Sequence, residues 1–276
     1  MAAAAVASID PVAVPDLRQP LDRVDLDVSC ITYNELPYID DQPALQYKGH
    51  VKALLDIIDR YSMGQYFGVH SAHRHDKIPI GTVRLERDLG IEESTWTKAT
   101  AIENVDLGNI HATAFKLTQN ALVAFEFAEG PSPTAGINIT PQFLGDIATY
   151  LAKNDITNQV VLEVKDFAKR DAKGFEPTAE IEIQWGKTEA FTVVLPISAR
   201  AEASRGIATL TPTGWNLRHV ATGTAPSDPE PPAGEHYERV VVGPKKDTHK
   251  VIYTSNAPVT PNLLRQALAE LGFIKA

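Results

Sequence analysis

The stretch Gln65-Tyr66-Phe67-Gly68-Val69-His70-Ser71-Ala72-His73-Arg74-His75-Asp76 places three of the eight histidines of the chain within six residues. Its apolar start predicts a β-strand. Because side chains alternate along a strand, we expect His73 and His75 to lie on one face with the apolar residues, and His70 and Arg74 on the other. The His-x-His pair is therefore the candidate for metal binding or catalysis.

Two imidazoles one residue apart on a strand can both reach one cation. Zinc, iron and copper accept neutral nitrogen ligands at about 2.0 to 2.1 Å. A divalent transition metal of this kind is thus one interpretation of His73 and His75. The other is that they act directly as acid and base, because imidazole titrates near neutral pH. The structural alternative is that both histidines are hydrogen-bonded surface or cavity residues that neither bind a metal nor take part in catalysis.

A further ligand or acid/base partner must come from elsewhere in the chain. Glu126 is the first candidate, because an ionisable residue between two phenylalanines in an apolar strand must face solvent, be paired, or be functional. Glu86 and His111 follow, each in a predicted neighbouring strand. The structural alternative for both glutamates is a solvent-facing position or an ion pair with Arg84. Three late histidines could also reach over a cavity: His219, His236 and His249.

The pattern of residues around the histidines predicts the fold class. Apolar residues from Val51 to Tyr61 recur at helical spacing, and Thr140-Pro141 and Thr260-Pro261 begin two more predicted helices. Short strand-like segments cover 82–87, 96–103, 111–116, 122–127, 160–164, 179–185, 190–197, 214–220, 239–242 and 250–253, the last two as a closing pair. We therefore predict an α+β fold, mainly antiparallel β-sheet, barrel- or sandwich-like, with about three flanking helices.

The domain organisation follows from composition. Residues 1–24 are rich in Ala, Pro and Asp without a period, which predicts a flexible N-terminal tail. Residues 25–276 are predicted to form a single α+β domain. Within it, 222–235 holds four prolines and is predicted to be a mobile loop that could gate a cavity.

Composition also limits the classes of partner and cofactor. With 26 basic and 35 acidic residues the formal charge is -9, so we expect no nucleic acid partner. The apolar runs are too short to cross a bilayer and the first residues do not resemble a signal peptide, so we expect no membrane partner and a cytoplasmic protein. The single cysteine, Cys30, excludes an internal disulfide. Glycine-rich nucleotide motifs are absent, so we expect no nucleotide cofactor.

The histidine stretch resembles an uncharacterised group of filamentous-fungal proteins with an F/Y-G-h-x-h-h-H-R/K-H core, where h is a hydrophobic residue. Phe67-Gly68-Val69 and His73-Arg74-His75 match that core, and Val83 to Glu86, Phe125 to Phe127 and Thr213 to Trp215 are similar to its later elements. Ser71-Ala72 and Asp76 depart from it, and His70 is additional. The resemblance implies which residues form the site, a fungal origin and a role in small-molecule metabolism, but no reaction.

Two functions from different classes follow. The first is an intracellular enzyme of small-molecule metabolism, with secondary metabolism as one option, that uses the His-x-His pair. The pair would act as metal ligands, or as acid and base for isomerisation, dehydration or cyclisation. The second is a non-catalytic small-molecule-binding or scaffolding protein. A homodimer through an exposed strand edge such as 239–242 is left open.

Overall fold

The computed structural model describes residues 13–38, 48–91, 94–119, 121–166, 178–186, 189–196, 208–217, 236–241, 250–255 and 257–274. Its helices are α1 (Arg23–Asn34), α2 (Lys48–Arg60), α3 (Pro141–Lys153) and α4 (Pro261–Glu270). Its strands are β1 (Phe67–Ser71), β2 (Thr82–Asp88), β3 (Thr95–Ala101), β4 (Ile110–Leu117), β5 (Leu122–Glu129), β6 (Val160–Val164), β7 (Thr178–Trp185), β8 (Glu189–Pro196), β9 (Ala208–Trp215), β10 (His236–Val241) and β11 (Lys250–Tyr253). Across these ranges, no helix has both the length and the apolar character needed to cross a membrane.

The strands form one curled sheet in the order β10-β9-β1-β6-β4-β5-β2-β3-β8-β7-β11. Most neighbours are antiparallel, and the pairs β2–β5, β7–β10 and β7–β11 are parallel. Strand β10 pairs with β9 and also with β7, so the two ends of the sheet meet. The mainly antiparallel α+β class predicted from the sequence is confirmed.

One face of the sheet is apolar and is covered by helices. Because side chains alternate along β2, Val83 and Leu85 point into a core that includes residues of α2 and α3, such as Leu54 and Phe143. A second core forms where α4 covers β7 and β8, and its fully buried members include Leu268. The opposite, concave face therefore receives the polar residues of each strand.

Helix α1 was not predicted, because its buried face is not apolar enough to form a stripe. Ser29 and Thr32 are buried, while Val24 and Ile31 are 66% and 55% exposed. A capping box begins the helix, in which Asp22 accepts from the backbone N–H of residue 25 and the side chain of that residue accepts in return. Ser29 Oγ then donates to the Ala124 carbonyl of β5 at 2.7 Å.

The segment preceding α1 corrects the prediction of a flexible tail for the described residues 13–24, whereas residues 1–12 lie outside the described residues. Val14 and Leu17 are buried in the main core. The Asp16 carboxylate accepts from the Ala112 N–H at 2.7 Å, and Arg18 donates to the Ile139 carbonyl. Residues 13–22 are thus held on the domain, because two apolar side chains and two polar anchors fix them.

Of three other sequence predictions, one is confirmed, one is wrong, and one concerns residues outside the described ranges. The predicted helices at Val51, Thr140 and Thr260 are present. Strands β10 and β11 do not pair with each other as predicted, because each pairs with β7 instead. The loop 222–235, His219 and His249 lie outside the described residues.

Candidate metal centre

A cavity of about 240 Å³ lies on the concave face of the sheet. Residues of β1 to β8 line it, together with the segment that follows β1. Tyr33 of α1 closes one wall, where it packs with Ala114 and Phe125. The volume is somewhat below the roughly 300 to 1,000 Å³ of typical ligand pockets, so it suits a small molecule.

The strand register explains why this face is polar. One cross-strand row runs through Ala99, Arg84, Glu126, Ala114 and Glu163. The next contains Glu182, Thr192, Thr97, Glu86 and Ala128. Directly opposed residues on one face have Cβ atoms about 4.5 to 5.5 Å apart. In these rows ionisable side chains lie among alanines and threonines, whose small size leaves room for the cavity.

The histidine segment reaches the cavity because the strand ends early. Strand β1 stops at Ser71, and α1 and its C-terminal turn hold the residues that follow. The Arg74 N–H donates to the Pro37 carbonyl and its Nε to the Leu36 carbonyl, and the His75 N–H donates to Tyr33 Oη at 3.2 Å. The contacts turn the backbone so that His73 and His75 face the cavity.

The predicted arrangement of the three histidines was therefore wrong in one respect. Phe67 and Val69 belong to the apolar core, whereas His70 lines the cavity with His73 and His75. The rings of His70 and His73 are 5.2 Å apart, and those of His73 and His75 are 4.9 Å apart. The strand alternation places His70 in the cavity, and the turn after Ser71 brings the other two beside it.

Two buried carboxylates hold the His75 ring. Its Nδ1 lies 2.6 Å from Glu182 Oε1, and its Nε2 lies 3.1 Å from Glu180 Oε1. Burial alone would lower the pKa of His75, but the negative charges of Glu180 and Glu182 raise it by a larger amount. The pKa of His75 is therefore well above the usual 6.5. Both ring nitrogens of His75 therefore lie within hydrogen-bonding distance of a carboxylate.

Hydrogen bonds to a backbone carbonyl fix the tautomers of the other two rings. Nδ1 of His73 lies 3.1 Å from the Ser71 carbonyl oxygen, and Nδ1 of His70 lies 2.9 Å from the same oxygen. Because a carbonyl only accepts, each Nδ1 must carry a proton, and Nε2 is then the ligating nitrogen. Burial lowers the pKa of His70 below 6.5, since desolvation outweighs the carboxylate of Glu163.

Three residues meet the spatial requirement for a metal site. Ligand atoms of His73, His75 and Glu180 all lie within 4.8 Å of one another, and the three residues are buried. The structure thus brings together a group that could hold a metal ion. Of the ligands predicted from the sequence, His73 and His75 belong to this group, while Glu126 and His111 line the same cavity outside it.

The predicted glutamates lie beside the site with unusual electrostatics. Burial raises the pKa of Glu126 above 4.5, and the guanidinium of Arg84 opposes part of that increase. Burial likewise raises the pKa of Glu86, opposed by Lys165. Glu126 Oε1 lies 3.8 Å from Arg84 Nε, so the ion pair considered as a structural alternative is present.

His111 has a different environment from the three-residue group. Its Nδ1 lies 3.0 Å from the Gly130 carbonyl oxygen, beyond the end of β5. This hydrogen bond holds the ring at the wall of the cavity near Glu129. Among the described residues, His111 therefore lines the cavity without joining the candidate ligands.

Sequence reasoning missed Glu180 and Glu182. The only signal was their alternation with Ile181 and Ile183, which is also the pattern of a strand with one solvent face. In the structure the isoleucines pack under α4 and the glutamates turn to His75. Only the pairing of β7 with β8 and the curl of the sheet make this polar face an interior one.

Comparison with known proteins gives no independent assignment: no protein-family model, no curated protein and no solved structure matches this chain. The function must therefore be argued from the cavity.

Proposed function

We propose that this protein is an enzyme of small-molecule metabolism whose reaction takes place in the cavity, with a divalent transition metal bound by His73, His75 and Glu180. The curled sheet would act as a barrel-like container for the substrate. One observation carries the proposal. Donor atoms of the three residues lie within 4.8 Å of one another. His73, His75 and Glu180 are 6%, 4% and 8% exposed, respectively.

The donor set fits a metal that accepts nitrogen and oxygen. Two imidazoles and one carboxylate are the ligands of catalytic zinc sites and of non-haem iron(II) sites, and both keep positions open for water or substrate. Copper also accepts imidazole ligands. A bound metal would supply a Lewis acid that polarises a carbonyl or lowers the pKa of water.

The surroundings of the two histidines favour the same assignment. Histidines that bind metals almost always donate their second N–H to a carboxylate or a backbone carbonyl, which fixes the ring and increases its basicity. Glu182 stands in that position for His75 at 2.6 Å, and the Ser71 carbonyl does so for His73 at 3.1 Å. With a metal bound, Glu180 and Nε2 of His75, which now lie 3.1 Å apart, would both serve as ligands of the cation.

Protons for the reaction would come from the glutamates of the wall. Burial raises the pKa of Glu126 and of Glu86, which favours the protonated form that a general acid needs. Burial lowers the pKa of His70, which favours the neutral form that a general base needs. These residues suit proton transfer to and from a small organic molecule, as in isomerisation, dehydration or cyclisation.

The test is a metal titration of untagged protein. After treatment with a chelator, zinc and cobalt(II) are titrated by calorimetry and by visible absorption. We expect one site per chain, and we expect His73→Gln and Glu180→Gln to weaken it by more than about 100-fold, beyond the usual effect of losing an outer partner.

Two histidine variants serve as matched controls. His50 lies in α2, 3.0 Å from Tyr150 Oη, and His111 lines the cavity outside the ligand group. His50→Gln and His111→Gln should both retain the site. A wild-type protein that binds neither metal, or a loss in His111→Gln equal to that in His73→Gln, would overturn the proposed ligand set.

A second candidate is catalysis by acid and base without a metal. The observation that favours it is the closed contact of His75 with both glutamates, which satisfies both ring nitrogens without a cation. In that case His70 and Glu126 would transfer protons, and His75 would hold the wall together. Turnover that survives complete removal of metal by a chelator would support this candidate over the first.

A further inference from the structure

The guanidinium of Arg84 is the second chemical feature of the cavity. Arg84 lies on β2, is 4% exposed and lines the cavity. Its Nη2 donates to Thr192 Oγ1 at 2.8 Å, and its guanidinium carbon lies 5.6 Å from the centroid of the Tyr33 ring. The group is therefore oriented from two sides, before any ligand binds.

One donor of this buried group lacks a hydrogen bond. Among the described residues, no acceptor contacts Arg84 Nε, and Glu126 Oε1 at 3.8 Å is beyond hydrogen-bonding distance. An unsatisfied buried donor on a charged group destabilises the folded protein, because the group has lost its hydrogen bonds to water without replacing them. An acceptor supplied by a ligand would remove this cost.

Arg84 and Lys165 are cationic side chains in a lining that also contains Glu86, Glu126, Glu129, Glu163, Asp166 and Glu180, so an anion would have to bind at a guanidinium or ammonium donor that these carboxylates leave open. Lys165 Nζ donates to Glu163 Oε1 at 2.7 Å, so these two compensate each other. A divalent cation would compensate Glu180 and Glu182. Glu126 approaches Arg84 Nε only to 3.8 Å, so the carboxylate of a ligand could accept the hydrogen bond that Glu126 does not.

Arg84 is also close to the candidate metal ligands. Thr192, which accepts from Arg84, is the direct cross-strand partner of Glu182, and Glu182 bonds His75. A small molecule could thus contact the guanidinium at one end and the His73, His75 and Glu180 group at the other.

We propose that the substrate is a small carboxylate, bound through its carboxylate group by Arg84. The planar guanidinium matches a carboxylate in a two-point contact. A single arginine compensates a monoanion better than a phosphate dianion. The proposal deepens the proposed function and rests on it for the reaction, but the anion site can be measured alone.

The experiment uses benzoate as a probe and benzamide as its neutral analogue, measured by calorimetry on the zinc-loaded and on the metal-free protein. We expect benzoate to bind both forms and benzamide at least about tenfold more weakly, the difference between charged and neutral hydrogen bonds. Inorganic phosphate should not compete with benzoate at equal concentration. Preferential binding of phosphate, or equal affinity for benzamide, would overturn the carboxylate assignment.

Variants of two arginines on β2 test the residue. Arg84→Gln should weaken benzoate by roughly 10- to 100-fold, whereas Arg87→Gln should not, because Arg87 is already bonded to Glu129 at 2.7 Å. If Arg84→Gln fails to fold, Arg84→Lys and Thr192→Val provide the measurement. Arg84→Lys keeps the positive charge but lacks the paired N–H donors of the guanidinium, and Thr192→Val removes only the hydroxyl that orients Arg84. Unchanged benzoate affinity in both would refute the proposal.

The two proposals fail separately. Zinc affinity should be kept in Arg84→Lys, and benzoate affinity of the metal-free protein should be kept in His73→Gln. Zinc binding with no effect of Arg84 on benzoate would refute the anion site alone. Benzoate binding that depends on Arg84 in a protein that binds no metal would refute the proposed function alone.

Discussion

The contact between Glu182 and His75 gives the sharpest quantitative expectation. Glu182 is 5% exposed, and its Oε1 lies 2.6 Å from His75 Nδ1. The substitution Glu182→Gln retains a side-chain oxygen that can accept from the ring, so the orientation of His75 should be kept. What the substitution removes is the negative charge that makes His75 a stronger ligand.

The magnitude follows from the nature of this hydrogen bond. Hydrogen bonds to charged groups contribute about 1.5 to 3 kcal/mol, and neutral ones about 0.5 to 1.5 kcal/mol. The difference of about 1 to 1.5 kcal/mol corresponds to roughly tenfold in an equilibrium constant. Together with the effects measured for outer partners of metal ligands, we expect Glu182→Gln to weaken zinc binding by about 10- to 100-fold.

The assay is a competition titration of zinc against a chelating indicator at constant pH and ionic strength. Glu163→Gln is the matched control, because it removes the same charge from the same cavity while its carboxylate contacts Lys165 instead of His75. Circular dichroism and thermal unfolding should show that both variants are folded. Equal zinc affinity of the two variants would refute the idea that Glu182 acts through His75.

Three further outcomes are expected. Because the pKa of Glu86 is raised above 4.5 by burial, the folded state holds that proton more tightly than the unfolded state, and stability declines as the pH rises from 4.5 through the folded-state pKa. Glu86→Gln should make this decline smaller in urea unfolding curves measured across that range, while the raised pKa of Glu126 leaves part of it, and an unaltered pH profile would contradict the expectation. Leu268→Ala should lower the free energy of unfolding by about 2 to 5 kcal/mol, since Leu268 is 0% exposed on the buried face of α4, and a loss well below 1 kcal/mol would show that α4 does not pack as described. Thr260→Ala removes the side-chain cap on the Leu263 N–H and should cost about 1 kcal/mol, whereas Thr260→Ser should keep most of it.

Local patterns were sufficient for most of the elements. The apolar stripe of α2, the Thr-Pro starts of α3 and α4 and the alternation of Val83 and Leu85 with Arg84 and Glu86 are all present as predicted. Each depends on the spacing of neighbouring residues, which the sequence contains directly. Helix α1 escaped prediction because its buried side is formed largely by Ser29, Cys30 and Thr32, whose burial depends on the sheet beneath them.

The sequence by itself predicted that His73 and His75 lie together and that Glu126 and Glu86 belong to neighbouring strands, and the structure places them so. The tertiary structure alone decided that Glu180 and Glu182 contact His75, more than 100 positions away in the chain. The physical reason is that alternation specifies two faces of a strand but does not tell which face a curled sheet encloses. Register, curl and the anchoring of residues 72–78 by α1 convert a polar strand face into a candidate metal centre.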